Sequence, residues 1–245
     1  DEEELLRRVT EELKRLLDEA RKLHEDVKRE LEKLLKENDD LLADVKRKLE
    51  SLLEALKRGS GTADEVIERI LRLVEELLKR HAETVERILK LVRDLLRLHE
   101  KLVKEILDLL TRLLELLERR GGSGNSEKVD ALKKLAKSVV DEVERSLEEL
   151  RRLVEEVIKR IRDSLRASAR IVKEAVRELR ELLRDGRDAD KLLERIRALL
   201  ETLLEVLKRD NEEIKRILEE LLRVAEENLR RIKEIIDRLL DATRR

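Results

Sequence analysis

The sequence predicts an all-α fold, an up-down-up-down antiparallel four-helix bundle of long, coiled-coil-like helices. Three observations predict it. The residues are drawn almost wholly from strong helix formers. A handful of glycines divide the chain into four nearly equal parts. Each part then carries one apolar stripe at heptad spacing.

The alphabet comes first. The chain has 245 residues, 49% of them charged, and contains no Pro, Cys, Met, Trp, Tyr or Phe. Ordinary globular chains are about a quarter charged and carry aromatics throughout. What remains is chiefly Leu, Ile, Val and Ala with Glu, Lys, Arg and Asp, residues that lose little on entering a helix. The charge balance, 59 basic residues against 60 acidic, leaves no net field to attract nucleic acid or an anionic membrane. Without cysteine, neither disulfides nor thiolate chemistry is open to the chain. Charges interrupt every apolar run well short of the roughly 18 residues a membrane span needs. The start, DEEELLRRV, is acidic and amphipathic, unlike a signal peptide. A soluble chain without a targeting signal is expected, of the kind made by recombinant expression.

The glycines fall at Gly59 and Gly61, at Gly121, Gly122 and Gly124, and at Gly186. They imply helices over 1–58, 63–120, 126–184 and 188–245 within a single domain spanning 1–245. Each helix would have about 57 residues and run roughly 85 Å. Gly59, Gly121 and Gly186 sit where a left-handed residue closes a helix. Thr62 and Glu65 have capping-box spacing for the second helix. Ser126 and Asp188 are the N-cap candidates for the third and fourth.

Heptad spacing then sets the inward face. In the first helix the steps of four and three run Leu13, Leu17, Ala20, His24, Val27, Leu31, Leu34, Asn38, Leu41, Val45. Flanking Leu16, Leu23, Leu35 and Leu42 widen the stripe to bundle width. The second helix repeats the rule from Ile67 through His81, Thr84 and His99 to Ile106. The third runs from Val139 through Ser146, Ser164 and Ser168 to Ile171, and the fourth from Leu221 through Asn228 to Leu239. Short loops make sequential helices antiparallel neighbours.

Polar residues interrupt these seams at matched heights. Positions facing each other across an antiparallel hairpin have a near-constant sum of residue numbers. By that rule His24, His99, Ser146 and Asn228 share one level. Asn38, Thr84, Ser164 and Asn211 share a second, with His81 and Ser168 one turn along. Thr10 and Thr111 mark a third, smaller one. A buried polar group without a partner costs about 1–3 kcal/mol, so such groups are expected to be paired, hydrated or left exposed. Neutral imidazoles, hydroxyls and amides can all donate and accept, and a layer of them penalises any slip of register.

Enzymatic chemistry finds little support. There is no HExxH, no glycine-rich phosphate loop and no cysteine ligand set. His24 and His99 could offer two nitrogens to zinc, but Ser146 and Asn228 are poor further ligands. The acidic residues read as solvated helix faces four residues from Lys or Arg, with no carboxylate expected in the seam. No aromatic platform exists for stacking bases or cofactors. No catalytic, cofactor or metal residue is assigned.

The reduced alphabet, equal helices, GSG-type loops and layered Ser, Thr, Asn and His positions resemble computationally designed helical bundles with buried hydrogen-bond networks. In particular, 1–120 and 126–245 look like the two hairpins of a designed heterodimer joined by GGSGN. The likeness is of style and covers the whole chain. It implies a monomeric scaffold or helical pairing module that needs no cofactor or partner beyond a possible designed helix. A conformational switch is the alternative, working by displacement of the last helix or by protonation of the histidines.

Overall fold

The structure is a computed structural model that describes residues 2–59, 62–120, 126–185 and 189–244. It holds four helices: α1 (Glu2–Arg58), α2 (Ala63–Arg120), α3 (Ser126–Asp185) and α4 (Ala189–Arg244). No strand occurs among the described residues, and the fold is an all-α four-helix bundle.

Helix ends follow local chemistry. Gly59 ends α1 at φ 69°, with its N–H donating to the Leu56 carbonyl at 3.3 Å. A side chain there would meet nothing within 4 Å, so backbone conformation alone calls for glycine. Lys57 and Arg58 place positive charge in that last turn, where the helix dipole is negative. At the opposite kind of end, Asp64 and Glu65 occupy the first turn of α2, and the Val66 N–H reaches back to the Thr62 carbonyl at 3.3 Å. Ser126 is itself the first residue of α3, one place further in than an N-cap. The expected caps at Gly121, Gly186 and Asp188 lie outside the described residues.

The chain forms two compact units, each taking a segment of every helix. Unit 1 comprises Asp1–Arg29, Leu91–Glu156 and Glu219–Arg245, and unit 2 comprises Glu30–Lys90 and Val157–Leu218. In unit 1 the opening segments of α1 and α3 meet the closing segments of α2 and α4. In unit 2 the roles reverse, as an up-down-up-down order requires.

Unit 1 packs Leu13 and Leu17 of α1, Ile106 and Leu110 of α2, Val139 and Val143 of α3, and Ile232 and Ile236 of α4 into one core. Unit 2 packs Leu49, Ile70, Leu179 and Leu203 in the same way. Full burial of each such side chain stabilises by about 1.5–3 kcal/mol. The amphipathic stripe, and not helix propensity, therefore holds these long helices in place.

One seam departs from the expected spacing. On α3 the heptad pattern points inward to Ile171, yet Ile171 is 47% exposed, and Val172, Ala175 and Leu179 are buried instead. The step after Ser168 is four where the pattern wants three. An α-helix turns in 3.6 residues, so a strict heptad face drifts and an extra four-step restores contact.

Buried polar groups as the candidate functional site

Among the described residues, eight polar or charged ones are buried in the core: His24, Asn38, His81, His99, Ser146, Asp210, Asn211 and Asn228. Seven of them are among the polar residues named above from the heptad seams. The eighth, Asp210, does not figure in that expectation.

In unit 1, α1 contributes His24, α2 His99, α3 Ser146 and α4 Asn228. The Asn228 amide donates at 3.4 Å to the backbone carbonyl of Ser146, so this link joins α4 to the α3 main chain and not to the serine hydroxyl. His24 Nε2 is buried without a hydrogen-bond partner in the protein. Burial lowers the pKa of His24, against the opposing fields of Glu226 and Glu25. His99 is lowered from 6.5 to about 4, by burial first and then by the neighbouring His24. Both rings are therefore neutral at pH 7, which suits a leucine-lined setting.

Unit 2 combines amides, a carboxylate and the imidazole of His81. Asn38 Nδ2 donates to Asn211 Oδ1 at 2.9 Å, tying α1 to α4, and Asn211 Nδ2 donates onward to the exposed Asp39 at 3.4 Å. Beside Asn211, Asp210 is only 4% exposed. Its Oδ1 accepts from Ser168 at 2.6 Å and from Ser164 at 3.3 Å, which joins α3 to α4. Its Oδ2 and the Asn38 Oδ1 have no partner in the protein. Burial raises the Asp210 pKa, while the two serine bonds, which favour the carboxylate, pull the other way. His81 on α2 is buried with an unpartnered Nε2, and burial lowers its pKa.

Asp210 corrects the expectation of a carboxylate-free seam. The signal was present in the sequence. Ile196, Leu200, Leu203, Leu207, Asp210, Ile214, Ile217 and Leu221 step by fours and threes along α4 and are all buried. Extending the seam back from Leu221 puts Asp210 on it, with Asn211 at its flank.

The threonines are corrected too. Thr10 donates to the Arg7 carbonyl at 2.8 Å, Thr84 to Arg80 at 2.9 Å and Thr111 to Leu107 at 2.8 Å. All three turn back on their own helix, the local bond that a helical hydroxyl can make to a preceding carbonyl. Thr111 is exposed, so Thr10 and Thr111 form no cross-helix level.

Chemically the arrangement holds hydrogen bonds and little else. The serines donate straight to Asp210 with no imidazole between, and the His81 shift has burial as its sole cause. No nucleophile–base–carboxylate relay is assembled among these residues. Among the described residues no group of three or more His, Cys, Asp or Glu could hold a metal ion. No described helix is long and apolar enough to cross a membrane.

No protein-family model matches the chain, and no curated protein matches it. Among solved structures it is similar to one described as a computationally designed three helix bundle, at 18% identity and a TM-score of 0.39, over 94% of this chain and 92% of that one.

Proposed function

We propose that the chain is a de novo designed pairing scaffold, in which core polar residues fix which helices meet and in what register. It acts as a monomer, catalyses no reaction and requires no cofactor. The observation that carries this reading is the 2.9 Å bond between the buried amides of Asn38 and Asn211, residues 173 apart in sequence. Sliding α1 against α4 by one turn would set each amide against leucine and leave both unsatisfied, at about 1–3 kcal/mol for each buried group. The same logic makes single buried asparagines register keys in coiled coils. The absence of six residue types and the GGSGN joint at 121–125 fit a chain composed for folding and not for chemistry.

Hairpin fragments 1–120 and 126–245, prepared separately, test it. Mixed in equal amounts, they are expected to form a one-to-one complex by native mass spectrometry, in preference to pairs of like fragments. With Asn38→Leu in one and Asn211→Leu in the other, association should persist but like pairs should appear. Fragments that ignore each other, or leucine variants that pair as faithfully as the parents, would contradict the proposal.

A further inference from the structure

Between α1 and α2 in unit 1 lies a cavity of about 110 Å³ that the pairing role does not use. Leu16, Leu95, Leu102 and Leu229 form its floor, all of them buried. Leu23, 44% exposed, stands at its mouth with the exposed Glu19 and Lys101, and the half-buried Glu105 also lines it, so the charged lining is net acidic and disfavours an anionic guest. The neutral polar part of the wall is imidazole, from His99 and His24. Among the described residues no hydrogen bond reaches the His99 ring.

We propose that this cavity is a binding site for small neutral hydroxyarenes, phenol being the simplest, with the ring against the leucines and the hydroxyl paired to His99. Size and lining both point there. A leucine-lined cavity of about 150 Å³ takes up benzene, and this one is of that order. An apolar guest alone would leave the imidazole unsatisfied, whereas a hydroxyl both donates and accepts and so serves either histidine tautomer. Anionic guests would have to be desolvated among leucines with no cation inside to receive them. Burial and His24 keep His99 neutral at pH 7, so it presents one donor and one acceptor, not a charge. The chain has no aromatic residue of its own, and nothing flat already fills the space.

That composition also makes the experiment simple, because the protein contributes no aromatic absorbance. The full chain at pH 7.5 is titrated with phenol and, separately, with fluorobenzene, following the ligand's own near-ultraviolet band. One saturable site is expected, with phenol held about 3–10-fold more tightly, the advantage a single net hydrogen bond supports. His99→Leu should abolish that preference and keep fluorobenzene binding. Ala20→Leu, which fills the cavity from α1, should abolish binding of both while circular dichroism stays helical. If His99→Leu does not fold, the parent and Ala20→Leu titrations still decide. A band that never saturates, equal affinity for the two ligands in the parent, or undiminished binding to Ala20→Leu would overturn the assignment.

Discussion

Unit 1 and unit 2 solve one problem with different chemistry, although His81 places an imidazole in unit 2 as well. Both interrupt a leucine seam with polar side chains. Unit 1 uses two imidazoles that become neutral by releasing a proton, which they do readily at pH 7. Unit 2 includes Asp210, which becomes neutral only by gaining one. A buried group is tolerable when its uncharged form is the ordinary one at working pH. His24 and His99 meet that condition. Asp210 instead relies on two serine hydroxyls, while one of its oxygens goes unpartnered. At neutral pH the strain of polar burial is therefore concentrated in unit 2.

The largest expected effect concerns the histidines. Proton NMR of the three imidazoles should show all of them titrating below 6.5, with His99 lowest, at about 4. A displacement of that size corresponds to roughly 3 kcal/mol favouring the neutral ring in the folded state. Midpoints near 6.5 for His24 and His99 would mean solvated rings in unit 1 and would erase the contrast between the units.

Next in size is the support under Asp210. Ser168→Ala should lower stability by about 2 kcal/mol at pH 7, in the range for hydrogen bonds to a charged group. Ser164→Ala, whose bond is 3.3 Å against 2.6 Å, should cost less. Denaturant midpoints by circular dichroism measure both, and no loss from either substitution would remove the serines as the carboxylate's support.

The amides sharpen the comparison further. Asn38→Leu should cost about 1–2 kcal/mol, because Asn211 Oδ1 loses its buried donor, and adding Asn211→Leu should recover part of the loss. Asn228→Leu in unit 1 breaks only a 3.4 Å bond to a backbone carbonyl and should cost about 1 kcal/mol or less. A reversed order would place the register-setting contact in unit 1.

Smallest are the cross-helix ion pairs. Arg180 and Glu75 meet at 2.7 Å in unit 2, and Arg151 and Glu100 at 3.3 Å in unit 1. All four side chains are about half exposed, so a double-mutant cycle on either pair should give only a few tenths of a kcal/mol.

The architecture was legible because heptad spacing and glycine placement are local properties of the sequence. The burial of His24, His99, Ser146 and Asn228 was legible because each falls on the apolar heptad seam of its helix. Hydrogen-bond partners were not. Whether a hydroxyl crosses to a neighbour or turns back, as Thr84 does to Arg80, depends on ångström-scale distances that periodicity does not carry. Ile171 was misplaced because a heptad is only an approximation to 3.6 residues per turn. Asp210 was missed because acidic residues saturate the sequence, and a lone one on the seam stands out only when the seam is followed through it.

The claim that the two units oppose each other is tested most directly by acid. A histidine whose folded pKa is lowered contributes stability that is complete above the unfolded value of 6.5 and is lost as pH falls through it toward the folded value. A carboxylate whose folded pKa is raised behaves in reverse, weakening the fold as pH rises through the unfolded value of 3.8 and relieving it again in acid. Guanidinium unfolding at pH 7.5 and 4.0 should therefore be compared for the parent, for the unit 1 double variant His24→Leu, His99→Leu, and for the unit 2 variant Asp210→Leu. Surface carboxylates contribute alike to all three and cancel in the differences. The double variant should lose less stability in acid than the parent, and Asp210→Leu should lose more. If both variants track the parent, the imidazoles and the carboxylate are solvated in the folded protein, and the buried polar chemistry described for both units is wrong.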